Sequence, residues 1–442
     1  MRTATRIVAL VLLAALVSMA PAGAEDALTL QKARALTLSR SATLRGASLG
    51  VDAAALAAQA QGYAALPDLS ATAGASYGYF SDATQAANAL AESAQLDASA
   101  TVFDGGRTSD LVKKYGYATE AARESLRSTR ISLVGQADAA FFAVLEAEAS
   151  VDAATSDLEA AKARQDIAQA KIDAGSLSKS AYLQTEADTA GYETTLVLAK
   201  KTLASAKAKL SSLTGLPAAT ALTPIDFSSY DGLLSKLSAL DEAGIDALAA
   251  KVTSLAEANS PVLTVNALAG RQAELAVAIA KKAYLPTVSA GLAQGLSYGS
   301  ASGLSYPGSV SLTASMSLDL WTTKNAIDSA SVASAQADLV ANQGETDLDL
   351  GVVQALYEWI SSAGSIGSAS KALDYARSNY DNVLEQFKLS SATTSDLSTA
   401  EALVSADETA LITARYGFLS SLSTLSGLAG LEDDGEILAL LR

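Results

Sequence analysis

The 442-residue chain contains no cysteine and no histidine. Without cysteine there is no disulfide, no thiol chemistry and no lipid attachment through an N-terminal Cys. Without either residue, the usual zinc sites and most nucleophile–base pairs cannot be built. Carboxylate-only chemistry would survive that loss, but no compact acidic cluster with a fixed loop spacing stands out. No catalytic, cofactor-binding or metal-ligating residue is assigned, and an enzyme is not expected. Positive charge is scarce as well: 31 Lys and Arg stand against 47 Asp and Glu, for a formal net charge of −16. Nucleic acid, whose phosphates need a basic surface, is therefore not an expected partner. The negative balance suits cation passage and is also a common route to solubility; both readings stand. Proline is rare, with seven in the chain and none after Pro307.

Long apolar runs are missing too, except at the N-terminus. Arg2 and Arg6 give a positive start, Ile7 to Val17 an apolar core, and Ala22-Gly23-Ala24 a small-residue cleavage site. This reads as an export signal over residues 1–24, too short for a comfortable transmembrane helix. A retained anchor is the rival reading.

What the chain does contain is one plan written twice. Pro67, in Ala65-Leu66-Pro67-Asp68-Leu69-Ser70, and Pro286, in Tyr284-Leu285-Pro286-Thr287-Val288-Ser289, each open a segment that alternates with period two. Successive side chains of a strand point to opposite faces, so alternation marks a strand. Leu69, Ala71, Ala73, Ala75, Tyr77 and Tyr79 alternate with Ser70, Thr72, Gly74, Ser76 and Gly78, and Leu96, Ala98, Ala100 and Val102 with Asp97, Ser99 and Thr101. In the second copy Val288, Ala290, Leu292, Leu296 and Tyr298 alternate with small or polar residues, Gln294 being the one defect. Val310, Leu312, Ala314, Met316, Leu318 and Leu320 alternate with Ser311, Thr313, Ser315, Ser317 and Asp319. The strands are expected over about 68–80, 95–104, 287–299 and 309–321, lengths that suit a tilted strand crossing hydrocarbon.

On that reading Leu69, Tyr77, Tyr79, Leu96, Val102, Val288, Leu292, Tyr298, Val310, Leu312, Met316 and Leu318 face lipid. Phe80, Phe103 and Trp321 sit at the membrane interfaces. A soluble sheet with one solvated face shows the same alternation. Four strands cannot enclose an open lumen, and open edges in lipid are forbidden, so spanning strands require several chains to share one barrel.

After each strand pair comes an Ala-rich helical stretch. The first long helix is expected over 108–172, roughly 65 residues or ~100 Å, with a return helix over 179–214. The second runs over 325–387 and returns over 395–426. Helices of this length point to coiled-coil or helical-barrel packing. Gly344, Gly351, Gly364 and Gly367 interrupt the second, marking a bend, a break or close packing. Residues 25–216 and 245–430 form the two copies, 217–244 a connector packed outside the helices, and 431–442 a tail belonging with the connector. The fold class is mainly α with membrane β.

In this order of elements the chain resembles the TolC-type outer-membrane factors. Val102-Phe103-Asp104-Gly105-Gly106-Arg107 is similar to their strand-to-helix junction, Ala174-Gly175-Ser176-Leu177-Ser178 with Tyr182-Leu183 to their helix-tip turn, and Leu213-Thr214-Gly215-Leu216-Pro217 to their helix end. The resemblance implies a homotrimer with a twelve-stranded barrel in outer-membrane lipid and a long periplasmic helical tunnel. Such a trimer is the exit duct of an efflux pump or type I secretion system. It implies a periplasmic adaptor protein and an inner-membrane transporter as partners, and no cofactor. Gly175, Ser176, Leu177 and Ser178, with Leu389, Ser390 and Ser391, would form the adaptor-facing tips, Leu389 standing where the family often has glycine. Asp396 is the nearest match to the acidic residues that narrow the family's periplasmic end; a solvated outward-facing Asp is the alternative. The competing function is an exported structural or adhesive coiled-coil spacer without a pore.

Overall fold

The computed structural model describes residues 27–78, 89–299, 303–389 and 391–441. The expected export signal, Tyr79, Phe80 and Ser390 lie outside them. Helices α1 (Leu30–Arg40) and α2 (Ala42–Tyr63) lead into strands β1 (Asp68–Gly78) and β2 (Ala89–Phe103). There follow α3 (Arg107–Asp173), α4 (Lys179–Thr214), a 3-10 turn with α5 (Asp231–Ser238), α6 (Glu242–Asn259) and α7 (Pro261–Lys281). Then come β3 (Thr287–Gly299), β4 (Gly303–Ser305), β5 (Gly308–Ser315), α8 (Leu320–Lys388), α9 (Thr394–Leu428) and α10 (Gly435–Ala439). Ser41 and Ser260 cap α2 and α7 in the same way, each accepting from the backbone N–H three residues on.

The helices α3 and α8, of 67 and 69 residues, are each ~100 Å long at 1.5 Å per residue. Each packs against its return helix, and α9 also packs on α3, which joins the two hairpins. On α8 the buried Val352, Leu356, Trp359, Ala363 and Ile366 recur at spacings of three and four, with Leu373 seven residues further on, the seam of a left-handed supercoil. The four glycines do not break α8. Gly344 is a close-packing position, where an added Cβ would meet the Asn266 side chain of α7 at 2.5 Å.

A core at mid-height collects Phe141, Phe142, Trp359, Phe418, Leu422 and Leu425 from the long helices. The connector and α6 cover it: Leu237 of the one and Leu248 of the other are buried there, and Phe227 stands edge-on to Tyr416 at 5.5 Å. Its chain makes one parallel bridge, Leu28 with Leu222. Ile437 of the tail is fully buried in the same core, and Lys236 donates to the Leu441 carbonyl at 2.9 Å. Arg127 and Arg130 of α3 serve this region, Arg127 donating to the Gly430 carbonyl and Arg130 pairing with Glu432 at 2.8 Å.

Two strand boundaries differ from expectation. β2 starts at Ala89 rather than near 95, although Glu92 spoils its apolar alternation. Backbone pairing carries it: residues 89–94 pair with 78–73 of β1, and 91–94 also pair with 299–296 of β3. The last strand stops at Ser315 rather than 321. Ser315 pairs with Thr287, the residue after Pro286, so β5 runs out of partner backbone there. Four residues later the Asp319 side chain accepts from Thr322 N at 3.1 Å and starts α8 at Leu320. Met316 and Leu318 therefore lie between β5 and α8, and Trp321 in the first turn of that helix.

Candidate conduit surfaces

The sheet is antiparallel in the order β1-β2-β3, with β4 and β5 both on the far side of β3. Its register separates two faces. Leu69, Ala98, Leu292 and Val310 form one cross-strand row, and Ala100, Ala290 and Leu312 the next. Leu96 faces Ala71, and Tyr77 faces Leu90. Tyr298 lies between Glu92 and Leu304. The opposite face carries Ser70, Asp97, Ala293 and Ser309 in one row, and Asp68, Ser99, Gly291 and Ser311 in another. At the base a bulge between Thr101 and Phe103 leaves Val102 unpaired, so Phe103 takes the place opposite Val288.

Exposure inverts the pattern of a soluble sheet. Along β3 the large apolar Leu292, Leu296 and Tyr298 are exposed, with Gln294 the polar exception among them, while the small Ala293, Gly295 and Ser297 between them are half-buried. Val310 is 85% exposed, Leu312 74% and Leu69 70%. An apolar face this large is not covered by any other part of the described chain. The edges β1 and β5 are likewise unpaired. Among the described residues, no helix is long and apolar enough to cross a membrane.

At the sheet base two aspartates turn strand into helix. Asp104 accepts from Gly106 N at 2.8 Å and Thr108 N at 2.6 Å, with Gly105 and Gly106 at positive φ. Lys282 at the end of α7 donates to the Gly106 carbonyl and pairs with Asp110 at 2.6 Å, bracing the junction. Asp319 starts α8 in the same manner without glycines.

At the far end the two helix turns come together. The first turns through Gly175 at φ 73°, and Ser178 caps α4 by accepting from Ala181 N. Ser176 donates back to the Lys171 carbonyl, and Leu177 is half-buried. In the second, Leu389 has φ −81°, outside the left-handed region that favours glycine, so leucine is accommodated at that position. Leu389 is 79% exposed, and Ser391 N donates to the Gln386 carbonyl. Lys171 ties one turn to the other, donating to the Phe387 carbonyl at 2.6 Å with its ammonium 4.7 Å from that ring's centroid. Asp396 completes a capping box with Thr393, accepting from Thr393 N at 2.9 Å while Thr393 accepts from Asp396 N. The Thr393 hydrogen bonds hold its carboxyl below the usual carboxylate range.

Above the tips lies a charged cluster that the sequence reading did not single out. Arg164 of α3 is 2% exposed and pairs with Glu401 of α9, itself 4% exposed, and more distantly with Asp188 of α4 at 3.7 Å. Ser398 donates to Asp188 at 2.8 Å, and Ser405 to Asp157 at 2.5 Å. A signal was present: Arg164 falls between Ala161 and Ala168 at the spacing of the apolar stripe, both of them fully buried. No group of acidic side chains among the described residues is arranged to hold a metal ion.

The fold recurs in known proteins. The family model described as outer membrane efflux protein matches residues 22–216 and 252–431. No curated protein sequence is a significant match. Among solved structures, the chain resembles CusC at 17% identity and a TM-score of 0.79, covering 91% of this chain and 92% of that one. The CmeC outer membrane channel of Campylobacter jejuni aligns at 16% identity and 0.79, over 93% and 89% of the two chains. The outer membrane protein VceC of Vibrio cholerae aligns at 15% and 0.75, over 91% and 97%. The chain therefore belongs to the outer membrane efflux protein family, as a channel component of the outer membrane with a long periplasmic helical part, and is not an enzyme.

Proposed function

We propose that three copies of this chain close one barrel and one helical tunnel, forming the exit duct of a tripartite efflux pump or type I secretion system. The observation that carries this is the sheet with two unpaired edges and an uncovered apolar face. In lipid each unpaired backbone group costs several kcal/mol, so the edges β1 and β5 must meet other copies. Two copies give only about eight long strands, whose interior side chains fill; three give about twelve and leave a lumen. The Ser, Thr, Gly and Asp face then lines water, and Leu69, Leu96, Leu292, Val310 and Leu312 face acyl chains. Tyr77 and Tyr298 fall near one rim and Phe103 near the other, where amphipathic rings suit the interfaces.

At the periplasmic end, Gly175, Ser176, Leu177 and Ser178 with Leu389 and Ser391 are proposed as the surface that meets a periplasmic adaptor, which links the duct to an inner-membrane transporter. Lys171 makes the two turns a single surface, with Leu389 as its exposed apolar knob. Asp396 is proposed to line the narrow end, its negative charge repeated once per copy. Asp396→Ala is expected to change cation block or single-channel conductance in planar bilayers while trimer yield stays the same. An unchanged trace would remove Asp396 from the lumen.

The assembly itself is tested by the mass and shape of the detergent-extracted protein, from mass photometry with negative-stain microscopy. A three-chain particle well over ~100 Å long, with detergent at one end, is expected. A monomer or a detergent-independent rod would support the exported spacer instead.

A further inference from the structure

One guanidinium, Arg164, is enclosed with three carboxylates where the two hairpins of a chain meet, about two and a half helical turns before the end of α3. From α3 come Arg164 and Asp157, from α4 Asp188 and Tyr192, from α8 Tyr380, and from α9 Glu401. Ser398 and Ser405 of α9 each satisfy one aspartate. The pairing of Arg164 with Glu401 is close but poorly aligned: none of the three guanidinium nitrogens and neither Glu401 oxygen has a hydrogen bond of good geometry. With all four groups charged, this buried site is over-supplied with negative charge. A low-dielectric site relieves such an excess by taking up a proton.

We infer that the Arg164–Glu401 contact is a proton-operated latch between the two hairpins, packed when Glu401 carries a proton and loosened when it ionises. Of the three carboxylates Glu401 is the least exposed. Burial raises its carboxyl from the ordinary 4.5 to about 7; Arg164 opposes the rise, and Asp157 and Asp188 add to it. Burial also raises Asp157, against the Ser405 hydrogen bond. Burial, then the charge of Glu401, raises Tyr192 and Tyr380, which stay neutral near pH 7.

The sign follows from linkage. When the hairpins separate, Glu401 meets water and regains an ordinary carboxyl. The packed state is therefore favoured fully in acid, loses that advantage as pH rises from about 4.5 towards about 7, and loses nothing more above it. Between pH 5 and pH 8 the packed-to-separated ratio should fall on the order of tenfold or more. The regulatory meaning, a duct whose periplasmic end tightens in acid, rests on the duct reading above. The proton linkage itself does not.

Hydrogen exchange of the full-length protein in detergent tests the linkage apart from conduction. After correction for intrinsic rates, residues 185–192 and 397–404 should be roughly tenfold better protected at pH 5.5 than at pH 8. Glu401→Gln, which mimics the protonated form, should hold the higher protection at both values. Asp157→Asn keeps the latch but removes one like charge, so its transition should move to lower pH. Equal protection of the wild type at both pH values would overturn the inference, as would an unchanged pH dependence in Glu401→Gln. A latch that fails in a protein still purifying as a three-chain particle would leave the duct reading intact.

Discussion

Leu292→Arg should abolish the detergent-stable, heat-modifiable oligomer while leaving the helical content of the chain nearly unchanged. Leu292 lies at the middle of β3, in the row Leu69–Ala98–Leu292–Val310 on the uncovered apolar face. A cation on the lipid face at the bilayer midplane costs about 2–4 kcal/mol per chain, and a closed trimer would bear it three times. The matched control is Ser309→Arg. Ser309 sits on the polar face, in the row with Ser70 and Asp97, where a cation meets water and a carboxylate. Its oligomer should form normally and differ only in ion preference. Equal tolerance of the two, read by heated and unheated gel migration and by circular dichroism, would mean that the apolar face does not meet lipid.

Trp359→Ala should cost about 3–5 kcal/mol in unfolding, the largest loss expected from a single truncation in the helical part. Trp359 is fully buried on α8, stacked on Phe418 with centroids 5.9 Å apart, and Phe418 in turn receives the edge of Tyr230 from the connector at 5.9 Å. Removing the indole opens a cavity where α8, α9 and the connector meet. The connector, held here by aromatic contacts and a few hydrogen bonds, should become cleavable by protease before the long helices do. Trp359→Phe should cost much less. It keeps the stack, and the indole N–H it removes has no hydrogen-bond partner, so part of the lost packing is offset by about 1–3 kcal/mol of relieved burial. Equal midpoint shifts for the two variants in denaturant would contradict this account.

Most of the local architecture was legible in the chain because it is written with short periods. The alternation of Leu69 to Gly78 and of Thr287 to Gly299 depends only on which face each side chain takes. The long helices follow from Ala-rich stretches free of proline. The stops at Gly175 and Gly215, both at positive φ, follow from the one residue type that adopts that backbone without strain. Asp104 and Asp319 accept from backbone N–H groups within four positions, a local signal that the alternation around Asp319 masked. The alternation misled at 316–320, where the pattern continues past Ser315 but the partner strand does not.

Composition and short-range pattern were enough for most of the elements, the polarity of the strand faces and the exclusion of thiol and histidine chemistry. Each of these is a property of neighbouring residues or of simple counts. Folding in three dimensions was needed to put β2 beside β3, to leave Val102 out at a bulge, to bring the connector and tail into one core, and to join the two tips through Lys171. It also placed Arg164 against Glu401, although each lies on a helix stripe that reads as ordinary coiled-coil packing. Contacts between residues so far apart leave no periodic trace in the chain. They are selected by which packing buries the most apolar surface while pairing what charge it must enclose.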